Sequence, residues 1–179
     1  MNLLTLDETK CWIKSWGNDV DLSEQWPGQN VNFKSLKASA NIQPENLSGL
    51  AMRLVELLGP CRRAIFVVIQ SGIWDEDTFL THAVRWTSGE STPLETKPGH
   101  LLQTHELMTL RTLIVTSVLN GWDSIVVTDS DYGRLFLSHD QWFQCMHQNE
   151  TLADTIVSQI CLKRIDERTD KASQIQAHK

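Results

Sequence analysis

Ala64-Ile65-Phe66-Val67-Val68-Ile69 is the longest unbroken apolar run in this chain, short, rich in β-branched side chains and apolar on both faces. Such a run suits a central strand covered on two sides, because a strand with one wet face would alternate polar and apolar positions. Upstream, Leu47, Leu50, Ala51, Leu54, Leu57 and Leu58 recur at helical spacing between Pro44 and the stop Gly59-Pro60. That pattern predicts an amphipathic helix leading into the strand. Downstream, Leu80, His82, Val84 and Trp86 alternate with Thr81, Ala83, Arg85 and Thr87, the period of a half-buried strand. The reading is that this second strand pairs with the first across Gly72 to Thr78.

A loop with Gly89, Pro93, Pro98 and Gly99 separates these strands from a long helix with Leu107, Leu110, Ile114, Val118 and Leu119 on its apolar stripe. Thr104 is its expected N-cap and Asn120-Gly121 its stop. Ile125-Val126-Val127 and Leu135-Phe136-Leu137 form a hairpin turned through Asp129-Ser130-Asp131-Tyr132-Gly133, a turn with glycine available for positive φ. Ser138-His139-Asp140-Gln141 has the spacing of a capping box, with Leu137 and Trp142 as its hydrophobic staple, and predicts a further helix. A last helix is expected over 150–167, with Leu152, Ile156, Val157 and Ile160 inward and Glu167 four residues before Lys171. At the other end, residues 7–15 read as a short helix stopping near Gly17, with a strand at Val31 to Leu36.

This order predicts an α+β fold: a single domain over 1–168, with a mainly antiparallel sheet of about four to five strands covered by helices and a polar, frayed tail over 169–179. The length of 179 residues and a 41% hydrophobic content suffice for one sizeable core. The formal net charge of −6 argues against nucleic acid or anionic lipid as a partner. No basic, then apolar leader opens the sequence and no run approaches the ~20 apolar residues of a membrane span, so the expectation is a cytoplasmic protein without a membrane partner. Cys11, Cys61, Cys145 and Cys161 are scattered and read as reduced thiols; only Cys61, beside Arg62 and Arg63, has local cationic help toward reactivity.

No nucleophile elbow, P-loop, dinucleotide fingerprint or paired-histidine helix motif is present, so no cofactor and no catalytic residue is expected. Two constellations remain. His100, His105, Asp129, Asp131 and His139 lie at loop or element ends and would make a metal-dependent hydrolase if they converged; Asp75, Glu76 and Asp77 form a further carboxylate cluster. The seven tryptophans include Trp86, Trp122 and Trp142, which burial explains, and Trp12, Trp16, Trp26 and Trp74, which stand among acids. Trp16, Trp26, Trp74, Asp75, Glu76 and Asp77 are the candidate binding residues, since Trp anchors supply contact area and opposite charge speeds association. The leading expectation is a non-enzymatic protein-binding domain for a basic protein, in the manner of an inhibitor or immunity-type protein. The alternatives are the hydrolase and a self-associating domain that forms a homodimer through the hairpin edge around Val126 and Phe136.

Overall fold

The apolar run is the third of seven strands in one antiparallel sheet. The computed structural model describes residues 1–17, 20, 22, 34–39, 46–71, 79–86, 89, 91–130, 133–140, 142–147 and 155. In chain order these form β1 (Asn2–Leu4), α1 (Leu6–Ser15), β2 (Lys34–Ser39), α2 (Leu47–Leu57), β3 (Arg63–Gln70), α3 (Phe79–Trp86), β4 (Gly99–Gln103), a 3-10 turn over Thr104–Glu106, α4 (Leu107–Leu119), β5 (Asp123–Thr128), β6 (Gly133–Ser138) and β7 (Trp142–His147). The strands lie in the order β1-β4-β3-β5-β6-β7-β2. The α+β class therefore holds, with a sheet wider than the four to five strands expected.

The alternation of β3 divides the core between two faces. Ala64, Phe66 and Val68 join Leu102, Val126, Leu135, Leu137, Phe143 and Cys145 under α2 and α4. Ile65 and Val67 join Leu101, Ile125, Val127 and Phe136 on the opposite face, packed with Leu4, Val20, Leu22 and Ile13 of α1. Each fully buried aliphatic or phenyl side chain contributes about 1.5–3 kcal/mol relative to its exposed form. Burial on both faces is why β3 reads as an uninterrupted apolar run.

Several expected elements stand as read. The hairpin is present, with Ile125 opposite Phe136 and Val126 opposite Leu135. Gly121, at φ 61°, stops α4 after Asn120. The helix at 7–15 begins one residue earlier, where Thr5 and Glu8 form a reciprocal capping box. The strand expected at 31–36 is found as Lys34–Ser39. The helix expected over 150–167 and the tail lie outside the described residues apart from Thr155.

Others are corrected. The segment read as a strand at 80–87 is the helix α3: Leu80 and Val84 are also four apart, so the alternation fits a helical stripe as well. Trp86, expected inside, is 71% exposed, and Arg85 is the buried neighbour. The partner of β3 on that side is instead β4, which falls where a loop was expected. Gly99 is needed there, because a side chain on it would collide with Thr9 Oγ1 of α1 and crowd Leu4. Thr104 is not the cap of α4, which begins three residues later behind the 3-10 turn. Nor does Ser138 start a helix: it ends β6, its Oγ accepts from Asp140 N at 3.2 Å, and the chain returns as β7. The ladders that β7 makes with β6 and β2 on both sides outweigh the local cap. Trp142 then sits in β7 with its ring 5.2 Å from that of Phe136. Finally, β5 and β6 are interior strands flanked on both sides, so the hairpin edge around Val126 and Phe136 is not available for pairing with a second copy. Among the described residues no helix is long and apolar enough to cross a membrane.

Candidate binding site at the start of strand β3

The last apolar residue of α2 and the first of β3 are joined by Leu58-Gly59-Pro60-Cys61-Arg62-Arg63, and this connection is fixed from two directions. Asp129, just beyond β5, accepts through Oδ1 from the backbone N–H groups of Arg62 and Arg63 at 3.0 and 3.1 Å. Its Oδ2 accepts from Arg63 Nε at 3.1 Å. The backbone N–H of Asp129 donates to Arg63 O in turn. From the 3-10 turn after β4, Thr104 N and Oγ1 both donate to Arg62 O at 3.0 Å, and Oγ1 also reaches Cys61 O at 3.1 Å. Burial raises the Asp129 pKa, but the hydrogen bonds from Arg63 and Arg62 and the Arg63 charge together hold it below its ordinary 3.8. Asp129 is an acceptor here and is already occupied.

The Arg63 guanidinium lies over two rings of α1, 5.1 Å from the centroid of Trp12 and 5.4 Å from that of Trp16. The rings meet edge to face, 6.0 Å apart. Their spacing of four residues puts both on one face of the helix, and the charge over the ring faces adds a cation–π attraction. Beside this stack opens a cleft of about 540 Å³ lined by Pro60, Cys61, Arg62, Arg63, Asp129 and Ser130. The Cys61 thiol in it is pushed up from its ordinary pKa by burial and by the Asp129 carboxylate, the opposite of what a nucleophilic thiolate requires. The adjacent arginines therefore do not activate it. The arrangement offers fixed donors and aromatic area, which suits recognition.

Of the expected binding residues, Trp16 is in this site; Trp26, Trp74, Asp75, Glu76 and Asp77 lie outside the described residues. The expected metal residues are dispersed. His100 is fully buried in β4 with its ring against Phe66 and Nδ1 3.3 Å from Phe66 O. Burial and the Arg85 charge press its pKa down to about 3. His105 is exposed on the 3-10 turn. Asp129 and His139 mark opposite ends of β5, roughly 20 Å apart at the rise of a strand. Asp131 lies outside the described residues. Among the described residues no three His, Cys, Asp or Glu side chains are grouped to hold a metal ion.

His139 has a partner of its own. Asp123, 2% exposed, accepts from the backbone N–H of His139 at 2.8 Å and faces its Nδ1 at 2.9 Å, while Asp140 Oδ1 lies 3.3 Å from Nε2. The Asp123 hydrogen bond raises the His139 pKa above 6.5; burial opposes it, and the charges of Asp123 and Asp140 add to the rise. With carboxylates at both ring nitrogens, this imidazole ties the β6–β7 turn to the start of β5.

Sequence reasoning missed Trp12 and Arg63 as parts of a site. The available signal was two tryptophans at helical spacing and a charged residue opening an otherwise apolar strand; what it lacked was that α1 crosses the sheet face at that strand's end. No protein-family model matches the chain, and no curated protein and no solved structure shows a significant similarity to it.

Proposed function

We propose that this chain is a non-enzymatic protein-binding domain whose contact surface includes Trp12 and Trp16 of α1 with Arg63 beside them. The observation that carries the reading is this stack: two half-buried indoles in edge-to-face contact under a guanidinium that a carboxylate holds in place. Tryptophan and arginine are the residue types that most often dominate binding energy at protein interfaces, and an anchor already held in its rotamer loses less entropy on binding. The net charge of −6 favours encounter with a protein of basic surface, the situation of an inhibitor or immunity-type protein. The test is capture of a partner from lysate at low salt by the immobilised wild-type chain, repeated with Trp12→Ala/Trp16→Ala. The expected result is a defined partner whose retention weakens with salt and is lost in the double variant. Failure to retain any stable partner, or retention indifferent to both tryptophans, would sink the reading.

A further inference from the structure

Independently of any protein partner, we propose that the cleft at the start of β3 binds a small dissolved oxyanion, a carboxylate or phosphate, between the side chains of Arg62 and Arg63. Both arginines line the cleft, and Asp129 is the one carboxylate among its described lining residues. Among the described lining residues two arginines thus stand against one carboxylate, in a chain whose net charge is −6. A guanidinium carries five N–H donors. Asp129 occupies Nε of Arg63, and the terminal amino groups at the far side of the fork have the geometry that receives a carboxylate or phosphate in bidentate fashion. Arg62 is exposed, and among the described residues no carboxylate pairs with its side chain.

Rigidity makes this more than two surface arginines. Asp129 holds the backbone N–H of both residues, Thr104 holds the carbonyls of Cys61 and Arg62, and Trp12 and Trp16 back the Arg63 plane. The backbone of both arginines is thus fixed where they line the cleft, so the stems of its two cationic side chains are already placed when an anion arrives. At about 540 Å³ the cleft is the size of a small-molecule site.

Isothermal titration of the full chain at low ionic strength, with inorganic phosphate in one arm and citrate in the other, tests this, read alongside the Arg Nε–Hε and Trp indole signals by NMR. The expected result is saturable binding of at least one anion with shifts at Arg63, Trp12 and Trp16. Arg62→Ala, which removes a side chain that anchors nothing, should weaken it by at least about tenfold. Arg63→Lys, which keeps the charge and loses the fork, should weaken it too, while Arg53→Gln on α2 leaves it unchanged. Response to phosphate alone assigns a phosphoryl ligand, and response to citrate alone a carboxylate. Saturation by neither, or binding that survives Arg62→Ala and Arg63→Lys unaltered, overturns the proposal.

Discussion

Asp123 opens β5 and Asp129 follows its last residue, and each carboxylate gathers donors from a segment that the fold brings alongside. Asp129 takes two backbone N–H groups and a guanidinium Nε from the start of β3, a segment more than sixty residues upstream. Asp123 takes one backbone N–H and an imidazole from the turn after β6. The geometry is alike and the partners differ: a guanidinium is a permanent cation, whereas an imidazole carries its charge only when protonated. One end of the strand is thus fixed by a permanent charge and the other by a conditional one. The permanent end is also the one that presents the tryptophan stack and the cleft, consistent with a binding surface that must keep its shape.

Removing each carboxylate tests the ranking. Asp129→Ala strands three donors, two of them on the backbone of a connection that cannot move away, and is expected to cost about 3 kcal/mol in urea denaturation. Asp123→Ala leaves His139, which is 43% exposed and can return to water, so a smaller loss of about 2 kcal/mol is expected at pH 6. Equal losses would show that Thr104 alone suffices to hold the Arg62 segment. The Asp129 variant should also loosen the Arg63 stack, seen as altered fluorescence quenching when compared with the Asp123 variant.

The same two ends show what was legible in the sequence. The hairpin that carries β5 was readable because Ile125-Val126-Val127 and Leu135-Phe136-Leu137 flank a short turn, and β3 because both its faces are apolar. Local chemistry misled at Ser138, where cap spacing and strand alternation coexist and only the non-local ladders to β6 and β2 decide between them. It misled again at Leu80 to Trp86, where four apolar or aromatic positions satisfy period two while Leu80 and Val84 also satisfy the helical period. The site was less legible than the fold. Asp129 was singled out as a metal candidate, yet its role depends on Arg62 and Arg63, and no local pattern indicates which segment a turn carboxylate will meet.

The pH dependences should separate the ends in opposite directions. Because the folded pKa of His139 is raised above 6.5, its contribution is present in full below 6.5 and disappears as pH climbs through the raised value. At its exposure this is about 0.5 kcal/mol. His139→Gln should therefore differ from wild type at pH 5.5 and match it more closely at pH 9. The lowered pKa of Asp129 gives the reverse: its contribution is complete above 3.8 and is lost only as pH falls through the depressed value. A wild-type stability that instead falls between pH 7 and 5 by an amount abolished in His139→Gln would show that the imidazole is held neutral, contrary to the Asp123 contact.

The smallest effect on stability is expected from the residue most exposed to a ligand. Arg62→Ala should change the unfolding free energy by no more than about 0.5 kcal/mol, because Asp129 and Thr104 hold the backbone of Arg62 and not its side chain. Arg63→Ala should cost more, since that guanidinium is shared by Asp129 and two indole rings. Thermal unfolding in dilute buffer measures both. The informative case is added phosphate or citrate: if Arg62 faces an anion, the anion raises the wild-type midpoint and leaves that of Arg62→Ala nearly unmoved, so a side chain with no role in the empty protein acquires one only when the cleft is filled. A destabilised Arg62→Ala without anion would instead place the side chain within the clamp that holds β3 to β5.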